Sequence, residues 1–262
     1  LPPVKDLPLY TTNTKDISIQ QTQGVTVFGL FDKTIIFDEI MRQKGDDQKN
    51  FRELLDRLSN GEFTKDDWLT LSKRELYAGK DISNEESEQF IKEGTMLCAY
   101  NKDLIEYNKK RLKALGTPIA RIKSENSAAF VTKMPATKAQ GLQSQMWLAK
   151  GAEVTLTCNS WKEAGLTNGA RGIVKYIVYE GKTKPTSVPS LVSVEVPQYT
   201  GPGYLGMDKC VPIVPIKRDW YANKTKVWRR MIPLKIAYGK SIHSSQGASE
   251  KGRIIVNLGS KE

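Results

Sequence analysis

The hydrophobic pattern changes period twice along the chain, and this limits the folds open to it. Up to about Pro118, apolar residues recur at helical spacing between short apolar runs. Phe51, Leu54, Leu55 and Leu58 predict a helix over Lys49 to Ser59, stopped by Asn60-Gly61. Thr64 is placed to cap a second helix carrying Trp68, Leu69 and Leu71. Ser83 and Glu86 form a capping box for a third, closed by Gly94. Thr95 to Tyr100 reads as a strand, and Asn101 as the cap of a helix that Gly116 and Pro118 end. Thr34 to Phe37 is another short strand candidate, while the polar stretch up to Gly29 reads as a linker or the edge of a preceding domain. Strand and helix in alternation mark an α/β layer fold.

From Trp147 the pattern becomes all-β. Strand candidates are Ala152 to Thr157, Gly172 to Tyr179, Leu191 to Val196 and Val211 to Ile216, each bounded by turn residues such as Asn168-Gly169 and Gly201-Pro202-Gly203. Short strands at this spacing predict a small barrel. Residues 124–145, just before it, are small and polar without a period. After about Leu234 the α/β character returns, and Arg253 to Leu258 reads as a buried strand. A β module is therefore expected inside an α/β domain.

The 262 residues carry a formal charge of +11. That excess favours a polyanionic partner, because each neutralised phosphate releases counterions, although a basic protein without such a partner fits the number equally well. The single His cannot build a multi-histidine zinc site. Cys98, Cys158 and Cys210 have no ligand spacing and suggest a reducing compartment. No apolar run is long enough to cross a bilayer. The chain starts without Met and stops at Gly259-Ser260-Lys261-Glu262 just after an apolar run, so it is read as a piece of a longer protein.

Four segments have residue types that bear on phosphate chemistry. Gly239-Lys240-Ser241 resembles the end of a phosphate-binding loop, but the position that needs the first glycine is Leu234, so an ATP loop is rejected here. Ser241-Ile242-His243-Ser244-Ser245-Gln246-Gly247 sets hydroxyls, an imidazole, an amide and a glycine before a strand. Such groups bind nucleic-acid phosphates, and the alternative is a plain polar loop. Arg42-Gln43 follows a strand candidate, where an Arg fork matches phosphate oxygens or forms a surface ion pair. Between Lys217 and Lys240, eight basic residues interleave with Trp220, Tyr221 and Trp228. The basic groups suit a nucleic-acid backbone. The Trp side chains read more readily as closing the barrel than as stacking on bases.

In order, these elements resemble the superfamily-one helicases of the petite-integration-frequency and RecD-like group, especially the eukaryotic, Helitron-associated versions. Leu1-Pro2-Pro3-Val4 with Pro8-Leu9-Tyr10 resembles the tail of the third family motif. Ile40-Met41-Arg42-Gln43 with the helix to Asn60-Gly61-Glu62 resembles the fourth, and Leu166-Thr167-Asn168-Gly169-Ala170-Arg171-Gly172 the inserted barrel. Leu234 to Tyr238 with Ser241 to Gly247 resembles the fifth.

The resemblance implies an α/β, RecA-like (P-loop NTPase-type) second motor domain with an inserted small β-barrel of the Src-homology type. It implies residues 1–29 as the edge of a preceding motor domain, 30–120 and 234–262 as the second one, and 121–233 as the insertion, with a barrel core near 147–217. The parent protein would be an ATP- and Mg²⁺-dependent helicase moving five-prime to three-prime. The Walker segments would lie upstream and the sixth motif downstream, so this piece alone would be inactive. Arg42 would reach the γ-phosphate, with Gln43 and Gly247 at the nucleotide. Ser241, His243, Ser244, Ser245, Gln246, Gly247, Asn168 and Gly169 would hold single-stranded DNA. The implied partners are single strands and forks, not membranes, and the implied protein is a monomer, nuclear or mitochondrial, in repair, recombination or telomere maintenance. Ser244 stands where the family has Lys, which removes a charge-assisted contact of about 1.5–3 kcal/mol. This departure also suits the alternative, a non-catalytic single-strand-binding protein derived from a decayed helicase.

Overall fold

The computed structural model describes residues 8–11, 17–36, 45–181, 187–222, 224–246 and 252–259. The chain divides into two compact units, Leu1–Glu88 and Gln89–Glu262.

The first unit is helical. Helix α1 (Ile19–Phe28) occupies the stretch expected to be a linker. Its start is a capping box, with Ser18 Oγ accepting from the Gln21 N–H and the Gln21 side chain accepting from the Ser18 N–H. The residues lack apolar periodicity, but this local chemistry nucleates the turn, and none of its side chains is buried. Thr34–Ile36, expected as a strand, has no regular structure and is exposed; Phe37 lies outside the described residues. Helix α2 (Lys49–Asn60) matches the periodic apolar pattern and ends at Gly61 in the left-handed conformation, φ 78°. Helix α3 (Lys65–Ser72) starts at Thr64, which shares a capping box with Asp67. The buried Asp67 carboxylate accepts Nε and Nη2 of Arg57 at 3.0 and 2.5 Å, which pins α3 to α2. That bidentate fork and the Thr64 bonds hold its pKa well below the usual carboxylate range. Helix α4 (Asn84–Glu93) opens with the expected Ser83–Glu86 box.

The second unit begins with β1 (Thr95–Cys98) and α5 (Asn101–Ala114). Asn101 is not the cap of α5: the cap position is Tyr100, and no side chain bonds there. The strands β2 (Ile119–Lys123), β3 (Glu125–Asn126), β4 (Gln145–Ala149), β5 (Glu153–Leu156), β6 (Arg171–Val178), β7 (Leu191–Glu195), β8 (Cys210–Ile213), β9 (Ile216–Ala222), β10 (Thr225–Met231) and β11 (Leu234–Ile236) follow. The chain then forms β12 (Gly239–Ser241), the single turn α6 (Ile242–Ser245) and β13 (Ile254–Asn257).

Four sheets result. β12-β1-β13 is wholly parallel, so it joins a segment before the antiparallel strands to two segments after them. β5 to β8 form an antiparallel meander, and β11 returns beside β5 to give the order β11-β5-β6-β7-β8. β2 pairs β4, and β9 and β10 form a hairpin whose far strand also pairs β3. The hairpin corrects the expectation for Trp220, Tyr221 and Trp228. They lie on β9 and β10, outside the five-stranded sheet, with the two Trp half-buried and Tyr221 exposed. β13 is also not the fully buried strand expected, since only Ile255 is buried. Leu234–Ile236, read with the later α/β segment, pairs with β5 in the antiparallel sheet.

One core runs through the second unit, from Leu112 of α5 through Val154, Val174 and Val194 to Met231 and Tyr238. Arg229, fully buried on β10, organises the aperiodic segment after β3. Its Nε donates to Asn126 Oδ1 at 3.0 Å and Nη1 to the Leu142 carbonyl at 2.8 Å. Its Nη2 donates to the Val131 and Met134 carbonyls at 2.5 and 3.0 Å. A guanidinium fork holds four neutral oxygens there, and burial pushes its pKa down. Among the described residues no helix is long and apolar enough to cross a membrane.

Candidate nucleic-acid interface

In a parallel sheet, ligands bind in the crevice beyond the carboxyl ends of the strands, where loops leave backbone and side-chain donors unpaired. Ser241 lies at that end of β12, in register with Cys98 of β1. The chain turns at once into α6, with Ser241 as cap, and Ser241 Oγ accepts the Ser244 N–H at 3.3 Å. Ser244 Oγ donates to the Ser241 carbonyl at 2.9 Å and Ser245 Oγ to that of Ile242 at 2.7 Å. The Gln246 N–H donates to the His243 carbonyl at 3.3 Å, leaving His243, Ser244 and Gln246 exposed on one short loop. The structure therefore brings Ser241, His243, Ser244, Ser245 and Gln246 together. Arg42, Gln43 and Gly247 lie outside the described residues.

Two lysines lie on the strands that lead to the loop, Lys235 on β11 and Lys240 on β12. Burial pushes the Lys235 ammonium pKa down, and the nearby Lys240 charge adds to the shift. Gly239 has a packing role. Its N–H donates to Asn108 Oδ1 at 3.1 Å, and an added Cβ would sit 2.8 Å from Leu104 Cδ1 and 3.1 Å from the Met96 carbonyl. Gly239-Lys240-Ser241 is thus a strand packed against α5 and not a phosphate-wrapping loop.

Asn168 and Gly169 form the exposed turn before β6. The Asn168 N–H donates to Asn159 Oδ1 at 2.8 Å and the Gly169 N–H to the Leu156 carbonyl at 2.9 Å. Gly169 has φ 94°, which other residues rarely adopt. Arg171, two residues on, donates to Thr95 Oγ1 at 3.0 Å, at the entry of β1. Asn168–Gly169 and the Ser241–Gln246 loop therefore belong to one unit but connect toward opposite ends of β1.

Sequence reasoning missed the β2–β4 pair, where the exposed Arg121 guanidinium lies 5.4 Å from the Trp147 ring. Its signal was the alternation of Ile119 to Lys123, hidden because the partner strand lies beyond an aperiodic stretch.

A parallel sheet backed by a helix, with a polar loop at its carboxyl edge, is an α/β layer. The chain has the RecA-like fold of solved Pif1 helicases. It matches the Candida albicans Pif1 helicase with a TM-score of 0.56 and 22% identity, over 83% of this chain and 48% of that one. It matches Bacteroides Pif1 in complex with ADP-AlF3 and ssDNA with a TM-score of 0.53 and 17% identity, over 85% and 45%. In sequence it is 29% identical over 220 residues to the ATP-dependent DNA helicase PIF1 of Xenopus laevis, 82% of this chain and 30% of that protein. The chain is therefore similar, in sequence and in fold, to part of a Pif1-type helicase, and it spans about a third of that curated relative. No protein-family model matches it.

Proposed function

We propose that this chain is the second motor half of an ATP-dependent DNA helicase moving five-prime to three-prime, and that its Ser241–Gln246 loop holds phosphates of a single strand. The observation that carries the reading is the position of that loop at the carboxyl edge of β12, directly after Lys240. Exposed amide, imidazole and hydroxyl groups bind phosphate oxygens without reading sequence, which suits a motor that must step along any strand. The β5–β8 meander with β11 beside β5 is assigned to the inserted small barrel, and β12-β1-β13 with α5 to the second RecA-like layer; the strand order supports this division.

No described residue is assigned to ATP or to Mg²⁺. Among the described residues no three acidic, His or Cys side chains cluster as metal ligands, and Gly239 is packed against α5. Arg42, carried by the resemblance, is the residue proposed to meet the γ-phosphate. When bound, the nucleotide supplies the free energy that drives translocation.

Fluorescence anisotropy with a labelled oligothymidine tests the loop. Gln246→Ala is expected to weaken binding about three- to tenfold, about 0.7–1.4 kcal/mol, the worth of one solvent-exposed hydrogen bond. Unchanged affinity would sink this site. The purified chain is expected to show no ATP turnover with or without DNA, and turnover above background would overturn its place as one half of a motor.

A further inference from the structure

We propose that the outward face of the β9–β10 hairpin is a second single-strand contact, a stacking platform centred on Tyr221. It rests on the nucleic-acid reading above but uses different residues. The register pairs Lys226 with Tyr221, Trp228 with Asp219 and Arg230 with Lys217. Val227, Arg229 and Met231 are buried on β10, so the alternate residues Lys226, Trp228 and Arg230 face outward with their three partners.

Charge on this face is graded. At the base, Arg230 pairs Glu125 at 3.0 Å and Lys217 lies 4.0 Å from Asp219. Toward the tip, Tyr221 is 77% exposed, and Lys224 and Lys226 are exposed beside it. No acidic residue occurs between Trp220 and Arg230. Trp228 continues the face diagonally from Tyr221, with Lys217 Nζ 4.7 Å from its ring centroid.

Tyr221 is mostly exposed, so its ring is available to another flat surface. Rings and ammonium groups alternating along a strand match the alternation of bases and phosphates in an unpaired nucleic acid. A duplex keeps its bases stacked and offers only phosphates, so the ring adds nothing to duplex affinity.

The test is anisotropy of the full chain with labelled oligothymidine and with a duplex of equal length. Tyr221→Ala is expected to weaken single-strand binding roughly fivefold or more while duplex binding holds, and Tyr221→Phe to retain both. Lys226→Ala is expected to make the salt dependence shallower by about 0.7 in logarithmic slope. Melting temperatures of these variants should match wild type, since both side chains are exposed. If Tyr221→Ala and Lys226→Ala bind like wild type while Gln246→Ala does not, the platform is wrong and the loop stands. If Tyr221→Ala weakens both nucleic acids equally, stacking is wrong. If the unaltered chain binds no single strand at all, both sites fall.

Discussion

Replacing Arg229 by methionine removes a buried cation that binds the segment between β3 and β4, and the structure fixes what is lost. Four acceptors lose a donor: Asn126 Oδ1 and the carbonyls of Val131, Met134 and Leu142. The Val131 and Leu142 bonds are fully buried. The Val131 carbonyl keeps the Met134 N–H at 3.0 Å, so the Leu142 carbonyl bears most of the loss, about 1–3 kcal/mol, whereas the two part-buried acceptors can turn to water at little cost. Methionine keeps most of the packing of the arginine stem and avoids the desolvation of a guanidinium, which offsets part of the loss. The expected net destabilisation is therefore about 1–3 kcal/mol. Lysine should do little better, because one ammonium cannot span acceptors that a planar fork reaches from both sides. Urea unfolding followed by fluorescence gives the magnitude. Amide exchange over residues 124–145 gives the place, since protection there should fall before the β5–β8 meander loosens. A loss under about 0.5 kcal/mol, the range of an ordinary surface change, would refute the assignment of Arg229 as the organiser of this segment.

Two further outcomes follow from the helical unit and the parallel sheet. Asp67 has a folded-state pKa below its unfolded value, so its contribution is present above about pH 4 and fades as pH falls toward the folded value. Asp67→Asn should lower the melting temperature of this unit at pH 7 and flatten its acid dependence below pH 5; an unchanged acid limb would exclude the Arg57 pairing as its cause. Gly239→Val should cost about 1–3 kcal/mol, because its branched side chain enters the space of Leu104 and the Met96 carbonyl. A variant with full stability by thermal melting would show that α5 can shift freely off the sheet.

The legible parts of the fold were those encoded by local chemistry. Thr64 and Ser83 announce helix starts through side chains that bond three residues on, and Gly61 stops α2 through a φ only glycine adopts easily. The meander strands were legible because turn residues bound each one. The same rules hid α1, whose box of Ser18 and Gln21 was present but lay in a stretch without apolar period. They misplaced Asn101, because the turn of α5 begins one residue earlier without any side-chain bond. Arg229 could not be seen as structural at all. A basic residue among basic residues looks solvated until the four oxygens it gathers, from as far back as Asn126, are brought around it by tertiary folding. For the site, the loop from Ser241 was legible as polar chemistry, but its place at the carboxyl edge required knowing that β12 pairs β1 in parallel.

Tyr238 shows why the inserted strands and the parallel sheet cannot be treated as separable parts. Its carbonyl accepts the Met96 N–H at 3.0 Å, and its hydroxyl accepts the Glu153 N–H at 3.2 Å, so one residue closes a bond into each sheet. The Arg111 guanidinium of α5 lies 4.7 Å from its ring centroid and also donates to the Ile91 and Lys92 carbonyls at the end of α4. Immediately before Tyr238 the chain is β11, paired with β5, and immediately after it is β12, leading into the Ser241–Gln246 loop. A displacement of the antiparallel sheet relative to β1 must therefore break a buried tyrosine's bonds or carry β12 with it. Because close-packed interiors transmit strain instead of absorbing it, the second course costs less. The Ser241–Gln246 loop is thereby tied in register to the strand that the meander is built on.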